Sequence, residues 1–452
     1  MHFLVIGGSD AGISAALRAR ELDSTADVTV VLEDDFPNYS ICGLPFYLSG
    51  ETPDWHDLAH RKEFGTIEVR RRHRASVVDP HSQTVAVEAD GLTSSLRYDK
   101  LLLATGAGPT NPPILGWETP GVFLLHSMAD SFAVSEYLER VKPARAVIVG
   151  AGYIGLEMAD ALTHRGIVVT IASRTATVLP TVDAEFGLEI QRELEAHGVT
   201  VRTGVQIARI ERRADHHLHV EGGGFDAECE MVIVAVGTTP NATLGADAGI
   251  KTGQKGALLI NRKMESAVPN IYVAGDCAET WHRVLGRYTY LPLGTTAHKQ
   301  GRVAGENAAG GERTFAGALG TQVVKIFSKV AGRTGPRQDE AARESLAPLT
   351  VASTSNDHKA YYPGATTIAA RVTGDTRNRK LLGAQILGTY GAEISKRLDV
   401  FATALHHGML IDDLSDLDLS YTPPLSSPWD PVQMAAQAWS AANLTTKPEE
   451  NR

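Results

Sequence analysis

The sequence predicts an α/β protein with two βαβ units of the nucleotide-binding type and a C-terminal α+β domain. Two glycine-rich turns, which begin at Gly7 and Gly150, each follow an apolar strand and precede a helical pattern. Beyond Gly320 the pattern changes, and strands precede one long helix over residues 392–407. We therefore expect two Rossmann-like domains from an internal duplication, followed by a third domain.

The chain of 452 residues has room for roughly two to four domains of ordinary size. Proline-rich stretches after Gly106 and Gly237 indicate crossovers between them. We predict that the first nucleotide-binding domain covers residues 1–112 and 241–318. The second covers residues 113–240, and the α+β domain covers residues 319–452.

Composition limits the classes of partner and compartment. A net charge of -10 argues against nucleic acid, since binding phosphate backbones requires a basic surface. No apolar run reaches the roughly 18 residues of a membrane span, and the N-terminus passes into a strand without signal-peptide features. Three cysteines, an odd and small number, favour a reducing cytoplasm over a disulfide-stabilised secreted fold. No pattern predicts a metal site.

The first glycine turn predicts a dinucleotide site. Gly7 and Gly12 occupy the outer glycine positions of the G-x-G-x-x-G pattern, and Ser9 replaces the middle glycine. Serine is small, so the pyrophosphate can still approach the N-terminus of the next helix, whose free N–H groups favour anions. Glu33 ends the second strand, where a carboxylate accepts hydrogen bonds from ribose hydroxyls.

The second glycine turn is complete, with Gly150, Gly152 and Gly155 around Tyr153 and Ile154. Its second strand ends at Ser173, where an NADH-specific site would carry an acid, and Arg174 follows. A hydroxyl and a guanidinium suit the 2′-phosphate of NADPH, which an acid would repel. The sequence therefore predicts NADPH, with NADH as a possible alternative.

Further motifs make the comparison specific. Ala104-Thr105-Gly106, Gly275-Asp276 and the helix start at Thr296-Ala297, together with both turns, resemble the FAD-dependent pyridine nucleotide–disulfide oxidoreductases. The resemblance implies FAD on the first domain, with Asp276 bonding its ribitol. It implies NADPH on the second domain and a homodimer formed through the third. In this framework Gly237, Tyr153 and Glu157 belong to the nicotinamide site.

Cys42 is the candidate redox residue. Two-cysteine members carry a second cysteine five positions later, but here that position is Tyr47. The sequence therefore resembles the single-cysteine branch of coenzyme A–disulfide reductases, NADH oxidases and persulfide reductases. A helix is expected after Cys42, and its dipole is expected to lower the thiol pKa. The resemblance also implies that Tyr361 and Tyr421 reach the cysteine of the other subunit.

We expect an NADPH-dependent flavoprotein reductase that moves electrons through FAD and Cys42 to a low-molecular-weight disulfide such as CoA disulfide. An NAD(P)H oxidase or peroxidase is one alternative, although Asp10 stands where those members carry histidine. A persulfide or polysulfide reductase, a reductase of quinones or metal or metalloid species, and a redox-sensing flavoprotein are others. Cations for CoA phosphates are available at Arg18, Arg20, Arg61, Arg70, Arg71 and Arg72.

Overall fold

A computed structural model describes residues 1–213 and 216–445; the last residues of the predicted third domain, 446–452, lie outside these ranges. The elements up to the first crossover are β1 (His2–Ile6), α1 (Asp10–Leu22), β2 (Asp27–Val31), α2 (Leu44–Ser49), β3 (Glu68–Arg70), β4 (Arg74–Asp79), β5 (Thr84–Ala89), β6 (Leu92–Arg97), β7 (Lys100–Leu103) and β8 (Ala107–Pro109).

The second unit contains β9 (Val122–Leu124), α3 (Met128–Val141), β10 (Arg145–Val149), α4 (Tyr153–His164), β11 (Val168–Ser173), α5 (Ala184–Ala196), β12 (Thr200–Thr203), β13 (Arg209–Arg212), β14 (Leu218–Gly222), β15 (Phe225–Cys229), β16 (Met231–Val234) and β17 (Thr238–Pro240). Next come α6 (Thr243–Asp247), β18 (Ile271–Val273), β19 (Thr280–His282), β20 (Arg287–Thr289) and α7 (Gly294–Ala308).

The C-terminal region contains β21 (Gln322–Ile326), β22 (Lys329–Thr334), α8 (Gln338–Ala342), β23 (Pro348–Asn356), β24 (Thr367–Asp375), β25 (Leu381–Thr389), α9 (Ile394–His407), α10 (Ile411–Ser415) and α11 (Pro431–Thr445). The long helix predicted over residues 392–407 is thus confirmed as α9, which begins at Ile394. None of the helices described here is long and apolar enough to cross a membrane.

Two parallel five-stranded sheets form the nucleotide-binding units. The first has the order β18-β7-β1-β2-β3 and the second the order β12-β11-β10-β16-β9. Their central strands are apolar runs buried on both faces, as parallel sheets covered by helices require. Because β18 pairs with β7 in parallel, a segment that follows the second unit completes the first sheet. The predicted limits at residues 112, 240 and 318 stay predictions.

The third sheet is antiparallel, with the order β21-β22-β25-β24-β23. Consecutive strands pair in β21–β22, β23–β24 and β24–β25, and β22 also pairs with β25. Helix α9 packs on β22 and β25, and α11 packs on β23 and β24. Trp439 of α11 is fully buried in this core. The predicted class, two Rossmann-like units followed by an α+β domain, is confirmed.

Helices α1 and α7 cross so closely that their backbones touch. A Cβ atom on Gly301 would lie 2.1 Å from the carbonyl oxygen of Ala11, and one on Gly305 would lie 2.2 Å from that of Ala15. Real Cβ contacts are never so short, so only glycine permits this spacing. The crossing places the N-terminal ends of α1 and α7 side by side.

Replacing Gly301 with alanine should therefore push the two helices apart. Overpacking of this kind costs about 1–3 kcal/mol of unfolding free energy, so Gly301→Ala should lower the melting temperature and the fraction of flavin retained on purification. Lys299→Ala, on the exposed side of the same helix, is the control and should change neither value. A Gly301→Ala protein with unchanged melting and full flavin content would contradict this account of the crossing.

Candidate active site

The first glycine turn leaves space above α1 for a pyrophosphate. Gly7 has φ +114°, and a Cβ there would lie 2.0 Å from the carbonyl oxygen of Ala104; a Cβ on Gly12 would lie 1.9 Å from the Gly7 oxygen. Ser9 caps α1 with an exposed side chain that makes no capping hydrogen bond. The turn thus packs closely against the protein backbone on its inner side, whereas its outer side is exposed. This arrangement suits an anion at the helix N-terminus.

Asp276 is carried by a turn wedged between α1 and α7. Gly275 has φ +86°, and a Cβ there would lie 3.0 Å from the Ala11 Cβ and 3.7 Å from the Ala297 Cβ. The fully buried amide of Gln300 accepts a hydrogen bond of 2.8 Å from the Gly275 N–H. Sequence reasoning missed Gln300; the available signal was a polar residue at helical spacing on a face that is otherwise small and apolar.

The other residues predicted for the first site lie around the same opening. Thr296 is buried in the first turn of α7. The Thr105 hydroxyl donates to the backbone oxygen of Asn241 at 2.6 Å, and Gly106 has φ +69° with open space around it. Glu33 lies at the exposed end of β2, 3.7 Å from Arg74. Whether these residues contact FAD stays a prediction.

The second glycine turn repeats this geometry. Gly150 has φ +113° and a Cβ position 2.2 Å from the carbonyl oxygen of Ala235, and a Cβ on Gly155 would lie 2.1 Å from the Gly150 oxygen. Gly152, the N-cap of α4, has nothing within 4 Å of its Cβ position. Gly237, with φ +118°, is equally open at the end of the neighbouring strand. A second pyrophosphate therefore has the same kind of support.

Ser173 and Arg174 occupy the end of β11, but they differ in accessibility. Ser173 is 5% exposed, and its hydroxyl is 2.8 Å from that of Thr175. Arg174 is exposed, and among the residues that the structure describes it has no ion-pair partner. Of these two side chains, that of Arg174 is the one exposed to solvent.

The first turn of α4 carries the remaining residues of the second site. The Tyr153 hydroxyl accepts a hydrogen bond from Thr181 at 3.4 Å, and burial raises the pKa of the phenol. Ile154, next to it, is half-buried. Burial and then the charge of Asp160 raise the pKa of Glu157 to about 7. A carboxyl beside the second nucleotide site thus holds a proton near neutral pH.

Cys42 lies in the short 3-10 turn that precedes α2. Pro45, in the first turn of α2, pre-sets its backbone for the helix start, and Leu44 and Leu48 bury α2 against α4. Cys42 is exposed, while Cys229 and Cys277 are buried, and all three are free thiols. One thiol is therefore available, held by α2 against the second nucleotide-binding unit.

The predicted direction of the Cys42 pKa is wrong. Burial raises the pKa, followed by the charges of Glu157, Asp10 and Asp276. Burial and the three carboxylates act in the same direction, opposite to the effect expected from the dipole of α2.

Tyr47 occupies the position of a second cysteine and packs as an aromatic residue. Its ring lies 6.3 Å from that of Phe132 in an edge-to-face contact, and its hydroxyl donates to Ser135 at 3.4 Å. The side chain thus anchors α2 to α3. A sulfur partner for Cys42 has to come from outside this segment.

Tyr361 and Tyr421 lie on the surface of the C-terminal domain. They are 73% and 44% exposed, and burial, followed by a hydrogen bond that Tyr421 donates to Tyr361, raises the pKa of Tyr421. Large exposed side chains flank them at Tyr362, Leu425 and Trp429. The pair is thus brought together on an apolar face.

Four of the six arginines offered for a CoA phosphate already have partners. Arg18 pairs with Glu21 and Glu306, Arg70 with Glu68 and Arg72 with Asp35. Arg20 donates to the Ala26 oxygen and to Thr66. The two with free, exposed guanidinium groups in the described part of the chain are Arg61 and Arg71.

The fold and the two glycine turns define an oxidoreductase that uses two dinucleotides. Residues 1–301 match the family described as pyridine nucleotide-disulphide oxidoreductase, and residues 321–431 match its dimerisation domain. The chain belongs to this family. It is an oxidoreductase that uses FAD and NAD(P)H, and its dimerisation domain supports a homodimer.

Full-length relatives share this organisation. The chain is 35% identical over 440 residues to an NAD(P)H sulfur oxidoreductase (CoA-dependent) of Pyrococcus furiosus, covering 96% of this chain and 98% of the relative. It is 30% identical over 439 residues to a coenzyme A disulfide reductase of Staphylococcus haemolyticus, covering 95% and 97%. The solved structure of an NAD-dependent persulfide reductase from A. fulgidus superposes with a TM-score of 0.94 at 34% identity, covering 100% of this chain and 86% of the other.

The raised pKa of Glu157 predicts a pH-dependent cost to stability. The unfolded chain releases this proton near 4.5 and the folded chain near 7, so the fold loses stability as pH rises through that window, and the loss is complete above it. Glu157→Gln should therefore stabilise the protein by about 3 kcal/mol at pH 8 and by less than about 1 kcal/mol at pH 5.

Thermal unfolding at the two pH values measures this difference. Glu136→Gln, an exposed glutamate on α3, is the control and should shift the melting temperature at neither pH. An equal effect of Glu157→Gln at pH 5 and pH 8 would show that the Glu157 carboxyl does not titrate as described.

Proposed function

We propose that this protein is an NADPH-dependent reductase in which electrons pass by way of FAD to Cys42 and on to a low-molecular-weight disulfide such as CoA disulfide. The observation that carries the proposal is a single exposed thiol influenced by both nucleotide-binding units. Asp10 and Asp276 of the first and Glu157 of the second all act on the Cys42 pKa. A thiol in such a position can accept electrons from a flavin and react with a sulfur compound that arrives from solvent.

FAD, when bound, supplies the transfer of an electron pair from the nicotinamide to sulfur. The Cys42 thiolate attacks one sulfur of the disulfide, expels the first thiolate and keeps the second thiol in a mixed disulfide. Two electrons then break this bond, which releases the second thiol and restores the Cys42 thiolate. In sum, one disulfide, one NADPH and one proton give two thiols and NADP+.

The acids around Cys42 support this cycle through their protons. Burial and Asp10 raise the pKa of Asp276 to about 6, and that of Glu157 is about 7. Carboxyls that retain protons near neutral pH are effective general acids for a leaving thiolate.

The tyrosine pair is proposed to act across the dimer. Tyr361 and Tyr421 touch one another on an exposed apolar face of the dimerisation domain. In the homodimer we place this face against Cys42 of the partner subunit, where a phenol donates a hydrogen bond to the departing thiolate. Tyr361, Tyr421 and Cys42 are then the catalytic residues.

CoA is the proposed thiol for two reasons: two relatives use coenzyme A, and the surface carries exposed arginines that could bind its phosphates. Both the Pyrococcus furiosus and the Staphylococcus haemolyticus proteins are described by their use of coenzyme A. Here Arg61 and Arg71 are exposed guanidinium groups on the stretch that follows α2, and such groups pair well with phosphates.

Persulfide or polysulfide reduction is the second candidate. The similar A. fulgidus protein is a persulfide reductase, and the Pyrococcus furiosus relative is a sulfur oxidoreductase. In that reaction the Cys42 thiolate would attack the outer sulfur of a persulfide, expel the parent compound as a thiolate and leave a persulfide on Cys42. Two electrons would then reduce this persulfide to the Cys42 thiolate and sulfide, a product that disulfide reduction does not give. Measuring sulfide against free thiol as the product separates the two functions.

Cys42→Ser should abolish the reduction of CoA disulfide by NADPH, since serine cannot form a mixed disulfide. We expect a loss of at least about 1,000-fold, comparable to the loss of other covalent nucleophiles. Reduction of an artificial dye by NADPH needs no thiol and should stay within about twofold, which also controls for folding and flavin content. CoA disulfide turnover that survives in Cys42→Ser would contradict the proposal.

The nucleotide preference is tested through Arg174. We propose that wild-type kcat/KM is at least about tenfold higher for NADPH than for NADH. Arg174→Gln should lower the NADPH value by about tenfold, the cost of one charge-assisted hydrogen bond, and leave NADH nearly unchanged. Arg192→Gln, an exposed arginine on α5, is the matched control. A tenfold preference of the wild type for NADH would reverse this assignment.

A further inference from the structure

A second cavity lies away from Cys42, between the first nucleotide-binding unit and the C-terminal domain. It has a volume of about 530 Å3, within the usual range of small-molecule sites. One wall comes from the loops around β19, and the other from the β24–β25 turn and the end of α9. None of the glycine turns and no part of the Cys42 segment lines it.

Three permanent cations face this cavity without acidic partners. Arg262, Arg283 and Lys380 line it, and in the part of the chain that the structure describes none of them forms an ion pair. The acid in the lining, Asp375, is already bound by Arg377 at 3.2 Å. The chain as a whole carries a net charge of -10, so the local positive charge of this cavity has the opposite sign to the net charge of the protein.

The arginines are held in place by backbone oxygens, which orient them without neutralising their charge. Arg283 donates to the oxygens of His406 at 2.9 Å and Ala316 at 2.8 Å. Arg262 donates to the Phe315 oxygen at 3.0 Å. Groups fixed in this way lose little conformational entropy on binding a ligand.

The positive charge of the cavity affects the pKa of a neighbouring histidine. Burial lowers the pKa of His406, and the charges of Arg283, His407 and Lys299 lower it further. The cavity also has an apolar side, formed by Val284, Leu381 and Leu405, and the indole of Trp281, whose ring centre is 5.6 Å from the Arg262 guanidinium. The cationic side of the cavity can therefore bind the anionic part of a ligand, and the apolar side can contact its organic part.

We propose that this cavity binds a small molecule that carries two or more adjacent phosphate groups. Arginine forks fit phosphate oxygens, and three cations match the charge of a diphosphate. Trp281 and the leucine wall accept an organic group attached to the phosphates. The site is separate from the two dinucleotide sites and does not depend on the chemistry proposed for Cys42.

Calorimetry on the flavin-loaded, full-length dimer tests the proposal with inorganic pyrophosphate and with ADP as probes. With the second glycine turn saturated by NADP+, we expect one pyrophosphate per chain in the wild type. Lys380→Gln and Arg283→Gln should each weaken binding at least about tenfold, by loss of one charge-assisted contact. Lys380 is exposed and forms no ion pair in the described residues, so its variant should fold normally. Arg97→Gln, an exposed arginine on β6, is the control.

The two probes separate a phosphate site from a nucleotide site. The part of ADP binding that disappears in Lys380→Gln belongs to this cavity. If that part is tighter than pyrophosphate binding, the apolar wall contributes; if it is equal, the phosphates alone are recognised. Absence of pyrophosphate binding at millimolar concentration, or equal binding by wild type, Lys380→Gln and Arg283→Gln, would overturn the proposal.

Discussion

The close crossing of α1 and α7 is the constraint on which the first nucleotide site depends. Gly301 and Gly305 let α7 rest directly on the backbone of α1, and Arg18 and Glu306 close the contact with an ion pair of 2.7 Å. Segments that are far apart in the chain thus present two helix N-termini to one cleft. The Gly275 turn fits between them because neither helix has a bulky side chain there.

The same crossing sets the electrostatics of the reactive thiol. It brings Asp10 at the start of α1 close to Asp276, so burial and mutual repulsion raise the pKa of Asp276 to about 6. Glu157 adds a third carboxyl from the other nucleotide-binding unit. Cys42 therefore lies beside three carboxyl groups whose charges raise the pKa of its thiol. The proposed chemistry at Cys42 would take place among these carboxyl groups.

Features with a local cause were predictable from the sequence, and features with a tertiary cause were not. The turns at Gly7 and Gly150 follow from strand, glycine and helix patterns within a few residues, and both are present. The pKa of Cys42 was predicted in the wrong direction because the helix after it is local, whereas its three carboxylate neighbours come from distant segments. Gln300 and the Gly301 contact were missed for the same reason. Ser173 stays a predicted contact of NADPH, and its hydroxyl lies 2.8 Å from that of Thr175.

The central claim is that electrons reach Cys42 by way of FAD. An anaerobic absorbance titration tests it most directly, with the dimer first treated with CoA disulfide and then given NADPH in small steps. The account predicts that the first equivalent leaves the visible flavin absorbance in place. At alkaline pH, where a thiol of raised pKa is ionised, it also adds a long-wavelength absorbance, because the Cys42 thiolate is freed beside the flavin ring. Bleaching of the flavin by the first equivalent, without the long-wavelength absorbance, would contradict it.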